Sequence, residues 1–143
     1  MIDMFIYVGL GLIGLFIVLG LISQKGRPKS LGESGRLDEC GSSPNCVVSE
    51  AGGQPERAVA PIRASRADMK AAIIATGGTI TSEREDYMSA TYMSRLFKFV
   101  DDLEVRVEND ELLHIRSASR VGYSDRGVNR RRVEALRAYL KKT

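Results

Sequence analysis

The chain is poor in the residues that most often carry chemistry. Of 143 residues only two are cysteine, one is histidine, four are proline, and aromatics make up 6%. The lone histidine, His114, and the C-x5-C spacing of Cys40 and Cys46 match no usual zinc ligand set, so neither metal nor cofactor is expected. The phosphate-cradling patterns G-x-x-x-x-G-K and G-x-G-x-x-G are missing, as is the G-x-S-x-G nucleophile elbow. The composition also excludes collagen-like, repeat, disulfide-scaffold and multi-domain organisations.

What is present is segregated along the chain. Residues 4–22 carry no charge and no polar stripe at a 3.6-residue period. Nineteen such residues span about 28 Å as a helix, close to the thickness of a bilayer core. The preceding Met1, Ile2 and Asp3 lack the basic charge of a secretory signal, and no small-residue cleavage site follows, so an uncleaved anchor is expected. Charge sums to 0 over residues 23–61, falls to −3 over 62–115 and rises to +7 over 116–143.

Residues 23–61 hold all four prolines and six of the fourteen glycines with no apolar period, which predicts a linker. Cys40 and Cys46 enclose a turn-rich loop within it, and spacing alone leaves a disulfide and two free thiols equally open. Lys25, Arg27, Lys29 and Arg36 follow the apolar run, and the positive-inside rule then places the soluble part in the cytoplasm.

A compact unit is expected over residues 62–143. Spacing predicts a helix over 65–76, capped by Ser65 and stopped at Gly77 and Gly78, and a second from about Gly127 to Lys142 with Val133, Leu136 and Leu140 as its apolar stripe. Between them, 79–85 and 87–94 read as a hairpin, 96–100 as an extended run, and 103–107 as an alternating strand. After a turn at Asn109 and Asp110, Leu113, Ile115, Ser117 and Ser119 share one face, opposite His114, Arg116, Ala118 and Arg120. The expected fold is α+β: a transmembrane helix, then an antiparallel sheet of about four strands flanked by two helices, α-β-β-β-β-α, with the second face of the sheet poorly covered.

The densest polar run links the last strand to the last helix. Arg116, Arg120, Ser124, Asp125, Asn129 and Arg130 gather there beside a helix N-terminus, a candidate site for a carboxylate, phosphate or sulfate. The weightier reading is internal pairing of these arginines with Asp101, Asp102, Glu104 and Asp125. Asp101 and Asp102 are strand neighbours whose carboxylates diverge, so a salt-bridge or turn role is favoured over acid–base or metal chemistry. His114 with Ser117 or Ser124 and Asp125 supplies the residue types of a hydrolytic triad without its elbow, and a catalytic role is disfavoured. Arg130, Arg131, Arg132, Lys141 and Lys142 form a basic patch without interleaved aromatics, which disfavours nucleic acid and suits anionic lipid.

Three runs in order resemble one family: CGSSPNCV at 40–47, SRLFKFVDDLE at 94–104, and RSASRVGYSDRGVNR at 116–130 followed by Arg132. On these the chain resembles the family known as domain of unknown function 1499, over roughly residues 40–139. The resemblance carries no activity, cofactor or catalytic residue. It implies that the cysteine run and the arginine-rich corner belong to one domain, and its lumenal and exported members favour a disulfide and the periplasmic side. The combined expectation is a non-enzymatic, single-pass membrane protein, held in the bilayer by residues 4–22, whose small domain binds an anionic small molecule or a protein partner of the bacterial envelope. The rivals are an envelope enzyme on an anionic substrate with Asp101 or Asp125 as base, and a membrane-surface adaptor using the basic C-terminal helix.

Overall fold

The computed structural model describes residues 2–28, 31–50 and 54–142. Lys29 of the basic flank and Gly52 and Gly53 of the expected linker lie outside them. Helix α1 (Ile2–Gln24) runs about 34 Å, and its side chains are exposed along nearly the whole length. It is the one described helix long and apolar enough to cross a membrane. After it come strands β1 (Cys46–Val48) and β2 (Ile62–Arg63), helix α2 (Arg66–Ala75), strands β3 (Thr79–Glu83), β4 (Tyr87–Met93), β5 (Val100–Asn109) and β6 (Leu112–Ser119), and helix α3 (Val128–Leu140).

The sheet is antiparallel and six-stranded in the order β1-β6-β5-β4-β3, with β2 beside β1 on the same edge of β6. The α+β class and the four-strand meander agree with the sequence pattern. Two details differ from the expectation. The sheet carries two short strands beyond the expected four or so, because β1 and β2, drawn from the expected linker and its boundary, satisfy the outer edge of β6. Segments 31–50 and 54–63 thus form a strap laid against the fold, with β1 of the expected linker paired to β6 and Leu31 and Leu37 packed beside Tyr87. Of the expected extended run at 96–100, residues 96–99 form a turn instead. Ser94 N–H donates to Phe99 O (2.8 Å) and Phe99 N–H to Ser94 Oγ (2.9 Å), closing a turn with Lys98 at φ 58°, and β5 begins only at Val100.

Local chemistry explains the helices. Ser65 Oγ accepts from Asp68 N–H at the start of α2, and Gly77 at φ 92° ends it. At α3, Asp125 Oδ2 accepts from Asn129 N–H and Oδ1 from Gly127 N–H, both at 2.8 Å. Both helices cover one face of the sheet. Met69, Ala72 and Ile73 of α2 and Val133 and Leu136 of α3 pack on Met88, Leu103, Val105, Leu113 and Ile115. A smaller apolar cluster sits on the opposite face, where Leu37, Leu31 and Cys40 of the strap meet Val48 and Tyr87.

The end of α1 is seated on this domain. Ser23 is buried, its Oγ accepting from Val100 N–H (2.7 Å) and donating to Val100 O (3.3 Å). Phe16 stacks on Phe97 with centroids 5.0 Å apart and meets Phe99 edge-on at 6.2 Å. A Cβ on Gly20 would lie 1.8 Å from Phe97 O, so only glycine permits this approach.

Candidate functional site

Strand alternation sorts the polar residues onto two faces. Tyr87, Ser89 and Thr91 of β4, Asp102, Glu104 and Arg106 of β5, His114 and Arg116 of β6, and Arg120 just past its end all lie opposite the helices, as the register Ser89↔Glu104↔Arg116 and the Arg120 contact with Asp102 require. Charge on this open face is largely paired internally. Glu104, fully buried, accepts from Arg116 Nη1 (2.8 Å) and Tyr87 Oη (2.8 Å). Burial first, then the neighbouring Glu104 charge, pushes the Tyr87 phenol well above its ordinary range. Asp102 takes a two-pronged contact from Arg120, at 2.9 and 2.7 Å. Arg106 donates twice to Glu50 of the strap, at 3.0 and 2.7 Å.

Between these pairs and the chain leaving α1 lies a cavity of about 650 Å³. Arg27, Arg84 and Arg120 line it with the hydroxyls of Thr81, Ser82, Tyr87, Ser89 and Thr91, and no carboxylate is among its lining residues. Arg120 is committed to Asp102 and to Ser23 O (3.1 Å), while Arg84 lies over the Tyr87 ring at 5.1 Å and 3.7 Å from Asp86. Arg27 is exposed and makes no ion pair with a described residue.

The six residues singled out from sequence do not converge. Arg116 belongs to the open face through the register of β6, and Arg120 through its contact with Asp102. Asn129 lies buried on the helix side, where it accepts from Ser117 Oγ (2.6 Å) and donates to Asn45 O (2.9 Å), Ser119 Oγ (3.0 Å) and Asp125 Oδ2 (2.8 Å). Asp125 caps α3, Ser124 Oγ accepts from Arg126 N–H, and Arg130 donates to Glu56 O and Ala58 O. Of these four, Asn129 and Arg130 tie the strap to the start of α3, while Asp125 and Ser124 shape the turn that begins the helix. Asp101, on the helix side, pairs with Arg132 at 2.7 Å, and the Arg132 guanidinium lies 4.4 Å from the Tyr92 ring centroid. His114 contacts Ser49 Oγ at 3.2 Å on the open face, away from Ser117 and Asp125. Of the basic C-terminal patch, Arg130, Arg131 and Arg132 are hydrogen-bonded within the fold.

Sequence reasoning missed the cavity residues Thr81, Arg84, Tyr87, Ser89 and Thr91. Their signal was legible as the period-two alternation of Tyr87, Ser89 and Thr91 with Met88 and Ala90. Cys40 and Cys46 are joined in a disulfide with Cα atoms 5.6 Å apart, which fixes the entry to β1. Among the described residues no group of three His, Cys, Asp or Glu side chains is placed to hold a metal ion.

An apolar helix followed by a six-stranded antiparallel sheet with two helices on one face defines a small α+β domain with a candidate membrane span before it. The chain belongs to the family described as protein of unknown function, DUF1499, whose model matches residues 36–140. No curated protein and no solved structure matches it.

Proposed function

We propose that this protein is a membrane-anchored binding domain whose open sheet face receives an anionic, hydroxyl-bearing small molecule. The observation that carries the reading is the cavity of about 650 Å³, lined by three arginines and five hydroxyls and by no carboxylate. Its size falls in the range of small-molecule sites, and hydroxyls beside guanidinium groups favour a ligand bearing carboxylates or phosphates. The ligand position therefore moves from the strand-to-helix corner to the open face, keeping Arg120 alone of the six corner residues. Anchoring is supported by the exposed apolar surface of α1 and by the burial of Ser23 against Val100, which seats the end of that helix on the domain.

The full chain in lipid nanodiscs, titrated calorimetrically with citrate and separately with inorganic pyrophosphate, tests the cavity. Saturable binding is expected with at least one probe, weakened tenfold or more by Arg27→Gln with Arg84→Gln, a loss of about 1.4 kcal/mol. Both arginines are exposed, so folding is retained in that variant. No saturable heat up to about 1 mM with either probe, or equal affinity in the variant, sinks the reading.

The disulfide supports an oxidising compartment for the domain, on the periplasmic side of a bacterial cell membrane. A membrane-impermeant maleimide is expected to label Cys40 and Cys46 in intact cells only after reduction. Labelling that needs lysis but no reduction would place the domain in the cytoplasm.

A further inference from the structure

We propose that the turn between β4 and β5, residues 94–99, dips into the bilayer beside α1 and holds the domain in a fixed orientation on the lipid surface. This rests on the reading of α1 as a membrane anchor. Phe16, the stacking partner of Phe97, lies six residues before the end of the uncharged run at Ile22, about 9 Å along the helix axis. A turn pressed against α1 at that level sits within the acyl boundary, at the depth where interfacial aromatic residues reside. The Gly20 contact and the Ser23 bonds to Val100 fix that level.

The surface of the turn suits this position. Leu96 is 78% exposed at its tip, and Met93, 54% exposed, closes β4 just before it. Arg95 and Lys98 flank the tip, both exposed and without an ion-pair partner among the described residues. Long cationic side chains of this kind lay their stems along apolar surface and lift their charge to headgroup phosphates. Outside α1 the other large apolar side chains that remain exposed among the described residues are Ile74, Tyr123 and Val128. They sit at the end of α2, in the loop after β6 and at the start of α3, which all meet the pole where β4 ends and β5 begins. The turn at the opposite pole carries two exposed acidic residues, Asp110 and Glu111. One end of the domain is therefore apolar with a basic rim and continuous with α1, which fits a phospholipid surface with anionic headgroups.

The chain has no tryptophan, so a single introduced one reports its own depth. Three full-length variants, Leu10→Trp in α1, Leu96→Trp in the turn and Glu111→Trp at the far pole, are reconstituted into phosphatidylcholine vesicles with a minor share of phosphatidylglycerol. Lipids brominated near the top of the acyl chain quench tryptophans that reach them. Loss of emission is expected for Leu10→Trp and Leu96→Trp, and none for Glu111→Trp. Quenching at Leu10→Trp without quenching at Leu96→Trp overturns the proposal and leaves the anchor standing. No quenching at either overturns both readings together. Adding Arg95→Glu and Lys98→Glu to Leu96→Trp is expected to lift the tip and restore emission. Undiminished quenching there overturns the headgroup role of the two cations.

Discussion

Glu104 is the residue whose loss the open face should tolerate least. It is fully buried, holds the Arg116 guanidinium at 2.8 Å and accepts the Tyr87 hydroxyl at 2.8 Å. Arg116 is 6% exposed and its Nε already has no hydrogen-bond partner. Glu104→Ala strands a buried cation and a buried hydroxyl, and breaking a buried pair in this way costs about 3–5 kcal/mol. Tyr87→Phe leaves the ion pair intact and costs about 1–2 kcal/mol. The triple replacement Glu104→Leu, Arg116→Met and Tyr87→Phe removes every polar partner at once, and its stability is expected within about 1 kcal/mol of the natural chain. Urea unfolding of the full chain in detergent micelles, followed by near-ultraviolet circular dichroism of the tyrosines, reads these differences. With a urea dependence of about 2 kcal/mol per molar, Glu104→Ala should lower the midpoint by about 2 M and the triple variant by under about 0.5 M. A Glu104→Ala midpoint within about 0.5 M of the natural chain would refute the pairing account. A triple variant as weak as the single one would refute the claim that unpaired charge is the cause.

Gly20→Val should undock α1 from the domain, because its Cβ would meet Phe97 O at 1.8 Å. Faster tryptic cleavage after Arg95 and Lys98 is the expected readout, and unchanged cleavage would show that the helix seats without the glycine. At the β3 edge, a hydrogen bond from Lys70, then the charges of Lys70 and Arg66, hold the Glu83 carboxyl below its ordinary range. A lowered folded-state value means stability present above the unfolded value and lost as pH falls through the folded one, so this contribution disappears on acidification below about pH 4. Glu83→Gln should flatten that part of a stability-versus-pH curve, and an identical acid limb would show that the contact is screened away.

The helices and the four-strand meander were legible because their apolar periods are long enough to be unambiguous. Ser65 and Gly77 punctuate α2 by ordinary chemistry, and the pairing of Arg116 and Arg120 with Glu104 and Asp102 follows from charge and strand position. Strands β1 and β2, of three and two residues, are too short to show a period, and they exist because β6 offers an unpaired edge. Residues 96–100 read as an extended run because Leu96, Phe97, Phe99 and Val100 are apolar. Contact with α1, which no local pattern reveals, accounts for the two phenylalanines. The corner residues were grouped by closeness along the chain, although alternation along β6 and just past its end sends Arg116 and Arg120 away from Ser117, Ser119 and Asn129.

The strap has a consequence for the order of assembly. Strands β3 to β6 are sequence neighbours joined by short turns, so their pairing needs only the closure of small loops and proceeds early. β1 must instead find β6 across a long stretch of chain, with Cys46 opposite Ala118. During synthesis the strap emerges before the strand that receives it exists, and the outer edge of β6 stays open until it lands. The Cys40–Cys46 bridge closes only a short local loop, so oxidation can shape the entry to β1 ahead of docking. The segment made early in synthesis is among the last to be seated, and the interval between is when an unpaired β6 edge is open to pairing with another chain.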